Sequence, residues 1–293
     1  MPVSPVLPIN LSNGFKLDPK QAREIGASLS SDYCFAEPFP HIVLDNFLPE
    51  DLISGLYSHF PKERLDSDVV FESGYAGHHK RQVLPADCDD FCRRSFDFFN
   101  SQPFLEFLEG LSAIDGLLPD PYFVGGGFHE TGPGGKLGVH ADFNLHTKLN
   151  VRRRINAIVY LNRDWPDAYG GKLELWDTRM QHCEKAVAPL FNRCVIFNTD
   201  DTSFHGHPDP LTCPPDRTRR SLALYYYTAS TGIQHEFRER TTDFRARPGS
   251  GDRIDMAVKS DAFIREVLPP ALYRGWRRVA GRVQRARDTR TPV

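Results

Sequence analysis

A chain of 293 residues, 40% hydrophobic and 25% charged, has room for one large domain or two small ones and the make-up of an ordinary soluble globular protein. Its formal net charge of −2 is unevenly spread: residues 251–293 hold ten Lys/Arg against five Asp/Glu, so only the tail is basic and the body is acidic. Six cysteines without a CxxC pair argue against a zinc module and read as free thiols in a reducing cytosol, and no window approaches the eighteen apolar residues of a membrane span.

In chain order, residues 1–36 contain Pro and Ser without clear periodicity and read as an N-terminal arm over the surface, partly disordered, with nothing catalytic in it. The opening MPVSPVLPINLSNGFKLD has no basic region followed by an unbroken apolar stretch, so neither export nor membrane insertion is expected, and the location expected is cytoplasmic. Residues 37–118 read as a strand and helices packing on the core formed further along the chain. A β-branched run starts at His41, and Pro49-Glu-Asp-Leu-Ile places proline and acids in the first turn of a helix. Between 89 and 111 the apolar residues Phe91, Phe96, Phe98, Phe99, Phe104, Phe107, Leu108 and Leu111 recur three or four apart, and Pro103 divides them into two helices.

From 119 to 230 the texture becomes short apolar or alternating runs (154–161, 172–177, 194–198, 221–227) separated by Gly, Pro, Asn and Asp. That pattern predicts an all-β core with flanking helices, an antiparallel barrel or double-sheet jelly roll, and no repeat suggests a solenoid. Residues 231–293 form a C-terminal extension. Within it, Leu272, Trp276, Val279 and Val283 make one stripe of a basic amphipathic helix over 270–285, expected to dock on the catalytic domain or a partner subunit.

Gly138-Val-His140-Ala-Asp142-Phe places a histidine and a carboxylate two apart, and on a strand such residues point to the same side. Sixty-three residues later, Ser203-Phe-His205-Gly comes after an apolar strand. Two histidines and one carboxylate form the facial triad of non-haem iron oxygenases, which leaves positions open for co-substrate and oxygen. His207 competes locally with His205 because both would face the same way, and the Ser-Phe-His-Gly context favours His205. Fourteen residues on, Arg219 and Ser221 share one strand face, where a buried guanidinium fork with a neighbouring hydroxyl suits a carboxylate; Arg220 would then face outward. The same alternation puts Tyr225 on the face of Arg219 and Tyr226 on the other. Gly125-Gly-Gly127 lacks the context of a phosphate loop. Arg152-Arg-Arg154 reads as a solvated charge run before contact with a substrate. The remaining histidines read as surface or packing residues.

Over 121–228, and more weakly over 41–61, the sequence resembles the 2-oxoglutarate/iron(II) dioxygenase superfamily, in its prolyl-4-hydroxylase-like branch. The likeness rests on Gly134-Gly-Lys-Leu-Gly, His140-Ala-Asp142, Tyr160-Leu-Asn-Arg-Asp-Trp165, Gly170-Gly-Lys-Leu-Glu-Leu, Ser203-Phe-His205-Gly and Arg219-Arg-Ser221, in that order. It implies a double-stranded β-helix of cupin-like type and Fe(II) at His140, Asp142 and His205. It places 2-oxoglutarate at Arg219 with help from Tyr160 and Ser221, with O2 as co-substrate and ascorbate as an optional stimulant. The tyrosine common nine residues before the first ligand is Thr131 here, with His129 nearby. The implied activity is hydroxylation of an unactivated C–H in a peptidyl residue or a small amino-acid-like or natural-product substrate, with release of succinate and CO2. The rival is a non-catalytic jelly-roll module that holds a metal or a partner. Expected partners are a small-molecule or peptide substrate, with no nucleic acid, and a homodimer stays open.

Overall fold

One long strand organises the molecule. In a computed structural model of the chain, which describes residues 4–12, 14–72, 74–230 and 240–255, β5 (Gly127–Ala141) bends at its Gly-Pro-Gly-Gly stretch, 132–135, and joins two sheets. Its first half lies between β12 (Arg219–Ala229) and β3 (His78–Val83), with Thr131 opposite both Arg219 and Lys80. Its second half pairs with β11 (His205–His207) and β13 (Asp243–Phe244). The larger sheet runs β1 (His41–Leu44), β10 (Cys194–Asn198), β7 (Val151–Tyr160), β12, β5, β3 and β2 (Val69–Phe71), all antiparallel. The smaller adds β8 (Leu173–Trp176) and β9 (Cys183–Val187) beyond β11. Short strands β4 (Leu118–Pro119) and β6 (Leu145–His146) pair at the ends of β12 and β7. This is the double-stranded β-helix, its two sheets facing across a cavity.

Period-two alternation sorts the side chains of the larger sheet. Ala157, Val159, Leu222, Leu224 and Tyr226 point outward into the main core, and Asn156, Ile158, Ser221, Ala223 and Tyr225 point into the cavity. Helices α3 (Glu50–Ser58), α4 (Asp90–Phe99) and α5 (Gln102–Ser112) contribute to that core. Asp89 caps α4 by accepting from the Cys92 N–H at 2.9 Å, and Pro103 sits in the first turn of α5, where its missing N–H costs nothing. Phe96, Phe99, Phe104 and Phe107 are fully buried there, each contributing about 1.5–3 kcal/mol of burial.

Residues 19–34 depart from the arm expected of them: they form α1 (Pro19–Ser28) and α2 (Ser30–Cys34). The helical signal is faint because the contact face of α1 is built from Ala22 and Gly26 instead of large apolar side chains. A Cβ on Gly26 would lie 2.1 Å from the Phe107 carbonyl oxygen, and one on Gly110 would lie 2.4 Å from that of Arg23. Two glycines therefore let α1 and α5 pack backbone to backbone. Residues Met1–Asp252 form one compact unit, and the helix expected over 270–285 lies outside the described residues. All six cysteines are free thiols. Among the described residues no helix is long and apolar enough to cross a membrane.

Candidate active site

His140 and Asp142 come from the end of β5, and His205 stands directly opposite His140 on β11. The register explains the convergence: a residue pair opposite on neighbouring strands and a third residue two along one of them share one face. His140, Asp142 and His205 are all buried and offer ligand atoms within 4.8 Å of one another. His140 Nε2 lies 3.6 Å from Asp142 Oδ1, and His205 Nε2 lies 3.5 Å from Asp142 Oδ2.

The donor set suits a divalent cation. His140 Nδ1 is 2.8 Å from the Gly138 carbonyl oxygen and His205 Nδ1 is 3.0 Å from that of Ser203. A carbonyl only accepts, so each Nδ1 carries the proton and each Nε2 lone pair faces the triad, as metal-binding histidines require. Burial, helped by His140, pushes the His205 imidazole down to about 4, so it is neutral at physiological pH. Burial alone would raise the Asp142 carboxyl. Arg153, followed by His205 and His140, more than offsets this and holds it well below the usual carboxylate range. His207 faces the same cavity opposite Leu137, outside the cluster, with a buried Nδ1 that has no hydrogen-bond partner among the described residues.

Arg153 overturns the reading of 152–154 as a solvated charge run. It is 1% exposed, its Nη2 lies 3.0 Å from Asp142 Oδ2, and its guanidinium stacks 3.5 Å from the Tyr225 ring centroid. Asn156 completes the clamp: its Oδ1 accepts from Arg153 at 2.7 Å and its Nδ2 donates to Asp142 Oδ2 at 2.7 Å. Alternation within β7 puts Arg152 and Arg154 on the face opposite Arg153, so the expectation holds least for the middle arginine. Period two could not have found it: Arg153 and Tyr160 are seven apart and would fall on opposite faces, and the register shift of β7 between Arg153 and Ile155 brings Arg153 to the cavity side.

Arg219 is 6% exposed and lines the same cavity of about 270 Å3, whereas Arg220 faces outward and pairs with Glu130 at 2.9 Å. Arg219 Nε donates to the Gly171 carbonyl at 2.8 Å and Nη2 to the Tyr160 hydroxyl at 3.2 Å. Gly171 has φ +73°, and a Cβ there would lie 2.9 Å from Arg219 Cδ, so the Gly170-Gly171 turn makes room for this side chain. Ser221 stands opposite both Tyr160 and His129, and Thr131 opposite Arg219. His129 and Thr131 thus both line the cavity, and burial holds the His129 imidazole neutral. Tyr225 faces the cavity and donates to the Gly125 carbonyl at 2.9 Å; Tyr226 faces the helices and donates to that of Phe99 at 2.9 Å.

Set against known proteins, residues 126–227 match the sequence model of the 2OG-Fe(II) oxygenase superfamily. The chain is similar to the mouse (Mus musculus) prolyl 3-hydroxylase OGFOD1, 27% identical over 202 residues, which is 66% of this chain and 34% of that protein. The chain thus corresponds to about a third of that relative. Among solved structures it is similar to a Pseudomonas putida prolyl-4-hydroxylase (20% identity, 69% of this chain and 98% of that one, TM-score 0.48). It is also similar to HygX of Streptomyces hygroscopicus with nickel, 2-oxoglutarate and hygromycin B bound (13% identity, 70% and 93%, TM-score 0.46).

Proposed function

We propose that this chain, whose residues 126–227 match the sequence model of the 2OG-Fe(II) oxygenase superfamily, is an Fe(II)- and 2-oxoglutarate-dependent hydroxylase. His140, Asp142 and His205 hold the metal in this reading, and Arg219, with Tyr160 and Ser221, holds the distal carboxylate of the co-substrate. The observation that carries it is the meeting, in one cavity, of a buried two-histidine, one-carboxylate cluster with a buried guanidinium that has no carboxylate partner among the described residues. A structural metal would need the first and not the second, which disfavours a non-catalytic jelly-roll module.

Bound iron, 2-oxoglutarate and O2 together supply the oxidising chemistry, with succinate and CO2 as co-products. The chain's own residues do the positioning. Arg153 and Asn156 lock the rotamer of Asp142 by engaging Oδ2. The backbone carbonyls of Gly138 and Ser203 hold the imidazole tautomers. Arg219, fixed by Gly171 and Tyr160, sets where a dicarboxylate ends. Ile158, Leu173 and Ala223 give the space between an apolar lining. The substrate is a peptidyl residue or a small amino-acid-like or natural-product molecule. The relative's name makes peptidyl proline the first to try.

The test measures succinate release with Fe(II), 2-oxoglutarate and O2 across prolyl peptides and small metabolites, beside Mn(II) binding to His205→Ala and His207→Ala variants. Substrate-dependent succinate, with Mn(II) lost only in His205→Ala, is expected. Mn(II) lost only in His207→Ala would overturn the ligand assignment, and a protein that takes up neither Mn(II) nor 2-oxoglutarate would overturn the function.

A further inference from the structure

Across the inner face of the larger sheet, the pairings Phe71–Lys80, Lys80–Thr131 and Thr131–Arg219 place four side chains in one row. Adjacent strands lie about 4.8 Å apart, so the Cα atoms of Lys80 and Arg219 are separated by about 10 Å. Both side chains line the cavity, where two long basic groups on one face can meet over the small Thr131. The other basic residues of this region are paired with carboxylates: Arg153 with Asp142, Arg81 with Asp68 and Glu130, and Arg220 with Glu130. Lys80 and Arg219 have no carboxylate at ion-pair distance among the described residues. Burial, then the like charge of Arg219, pushes the Lys80 ammonium down to about 8, with Asp142 opposing.

The donors of Arg219 show what is missing. Nε is spent on the Gly171 carbonyl and Nη2 shares itself with the Tyr160 hydroxyl, so the side-on fork is already occupied. Three Nη hydrogens remain, enough for an end-on fork to a carboxylate, and each carboxylate oxygen then keeps a lone pair for a further donor. An ammonium approaching from the next strand but one supplies it. The same anion removes the repulsion between two cations in a desolvated pocket.

We propose that Lys80 is a second anchor for the distal carboxylate of the dicarboxylate co-substrate, which it and Arg219 hold between them. The inference rests on the 2-oxoglutarate reading above and adds a residue from β3, outside the matched family segment, to the site. A Lys80 that instead receives an acidic group of the oxidised substrate is the competing outcome.

Calorimetry on the full chain loaded with Mn(II) separates these. Two ligands are titrated: 2-oxoglutarate, and 2-oxovalerate, which keeps the keto acid and lacks the distal carboxylate. For 2-oxoglutarate, K80M should weaken binding about tenfold or more and K80R should recover most of the loss. For 2-oxovalerate, K80M should bind as the wild type does. Without ligand, K80M should melt no lower than wild type, because a repelling charge has been removed. Equal 2-oxoglutarate affinity in K80M and wild type would overturn the role of Lys80 and leave the proposed function standing. Equal losses for both ligands would move Lys80 to the keto-acid end and also overturn it. A wild-type protein that takes up no 2-oxoglutarate would overturn both.

Discussion

Replacing Arg153 with Met removes the charge that faces Asp142 while keeping a flexible side chain against Tyr225. The guanidinium Nη2 is 3.0 Å from Asp142 Oδ2, and both groups are buried. At a charge separation near 4 Å and an effective dielectric of about 20, the attraction is about 4 kcal/mol. Leaving one member of a buried pair alone costs about 3–5 kcal/mol. Asn156 still donates to Asp142, which argues for the lower end. A divalent cation at the triad would supply the missing positive charge, so the loss should shrink by about 2 kcal/mol in saturating Mn(II), equivalent to roughly 30-fold tighter apparent metal binding by the variant. Urea unfolding of Arg153→Met and wild type, each metal-free and with Mn(II), reads both quantities. Equal losses with and without metal would mean that Arg153 acts through packing alone. No loss in either condition would return it to the solvated run that its sequence context suggests.

Arg219→Met should weaken 2-oxoglutarate binding about 10- to 100-fold in calorimetry, the worth of charged hydrogen bonds, and leave Mn(II) affinity close to wild type. Arg220→Met should do neither, because Arg220 points away from the cavity and pairs with Glu130 at 2.9 Å; the opposite pattern would show the parity of β12 to be inverted. The metal-free protein should lose stability as pH falls below about 6.5, by about 1.4 kcal/mol per unit for each buried neutral histidine. The sign is set by burial, which lowers the folded-state values of His129, His205 and His207, His205 to about 4, so only the unfolded chain takes up those protons. Chemical denaturation at pH 7 and pH 5.5 checks this, and a flat profile would mean that the three imidazoles are hydrated in solution. Gly26→Ala should cost about 2 kcal/mol net of its gain in helix propensity, since its Cβ would sit 2.1 Å from the Phe107 carbonyl oxygen. An unchanged melting temperature would place α1 away from α5.

Local pattern carried much of this protein. Alternation with period two and the spacing of the phenylalanines sufficed to locate four strands of the core, β7, β8, β10 and β12, and the break between α4 and α5, because both depend on which face of a regular element is apolar. The same parity separated Tyr225 from Tyr226 and Arg219 from Arg220. The meeting of His140, Asp142 and His205 was legible because side chains that converge on one face of a sheet sit at strand spacing, which leaves a mark within a few residues. What the tertiary structure decided is what depends on neighbours remote in the chain. Arg153 became a buried partner of Asp142 only when β7 and β5 were brought under the same cavity wall. Lys80 entered the pocket only through the pairing of β3 with β5. The helix of residues 19–28 stayed hidden because glycine carries no hydrophobic signal, and a close backbone approach is recognisable only once Gly26 and Gly110 are seen facing each other. A charge or a glycine reads alike in water and in a core, and only its spatial neighbours, through desolvation and contact, determine which of the two it occupies.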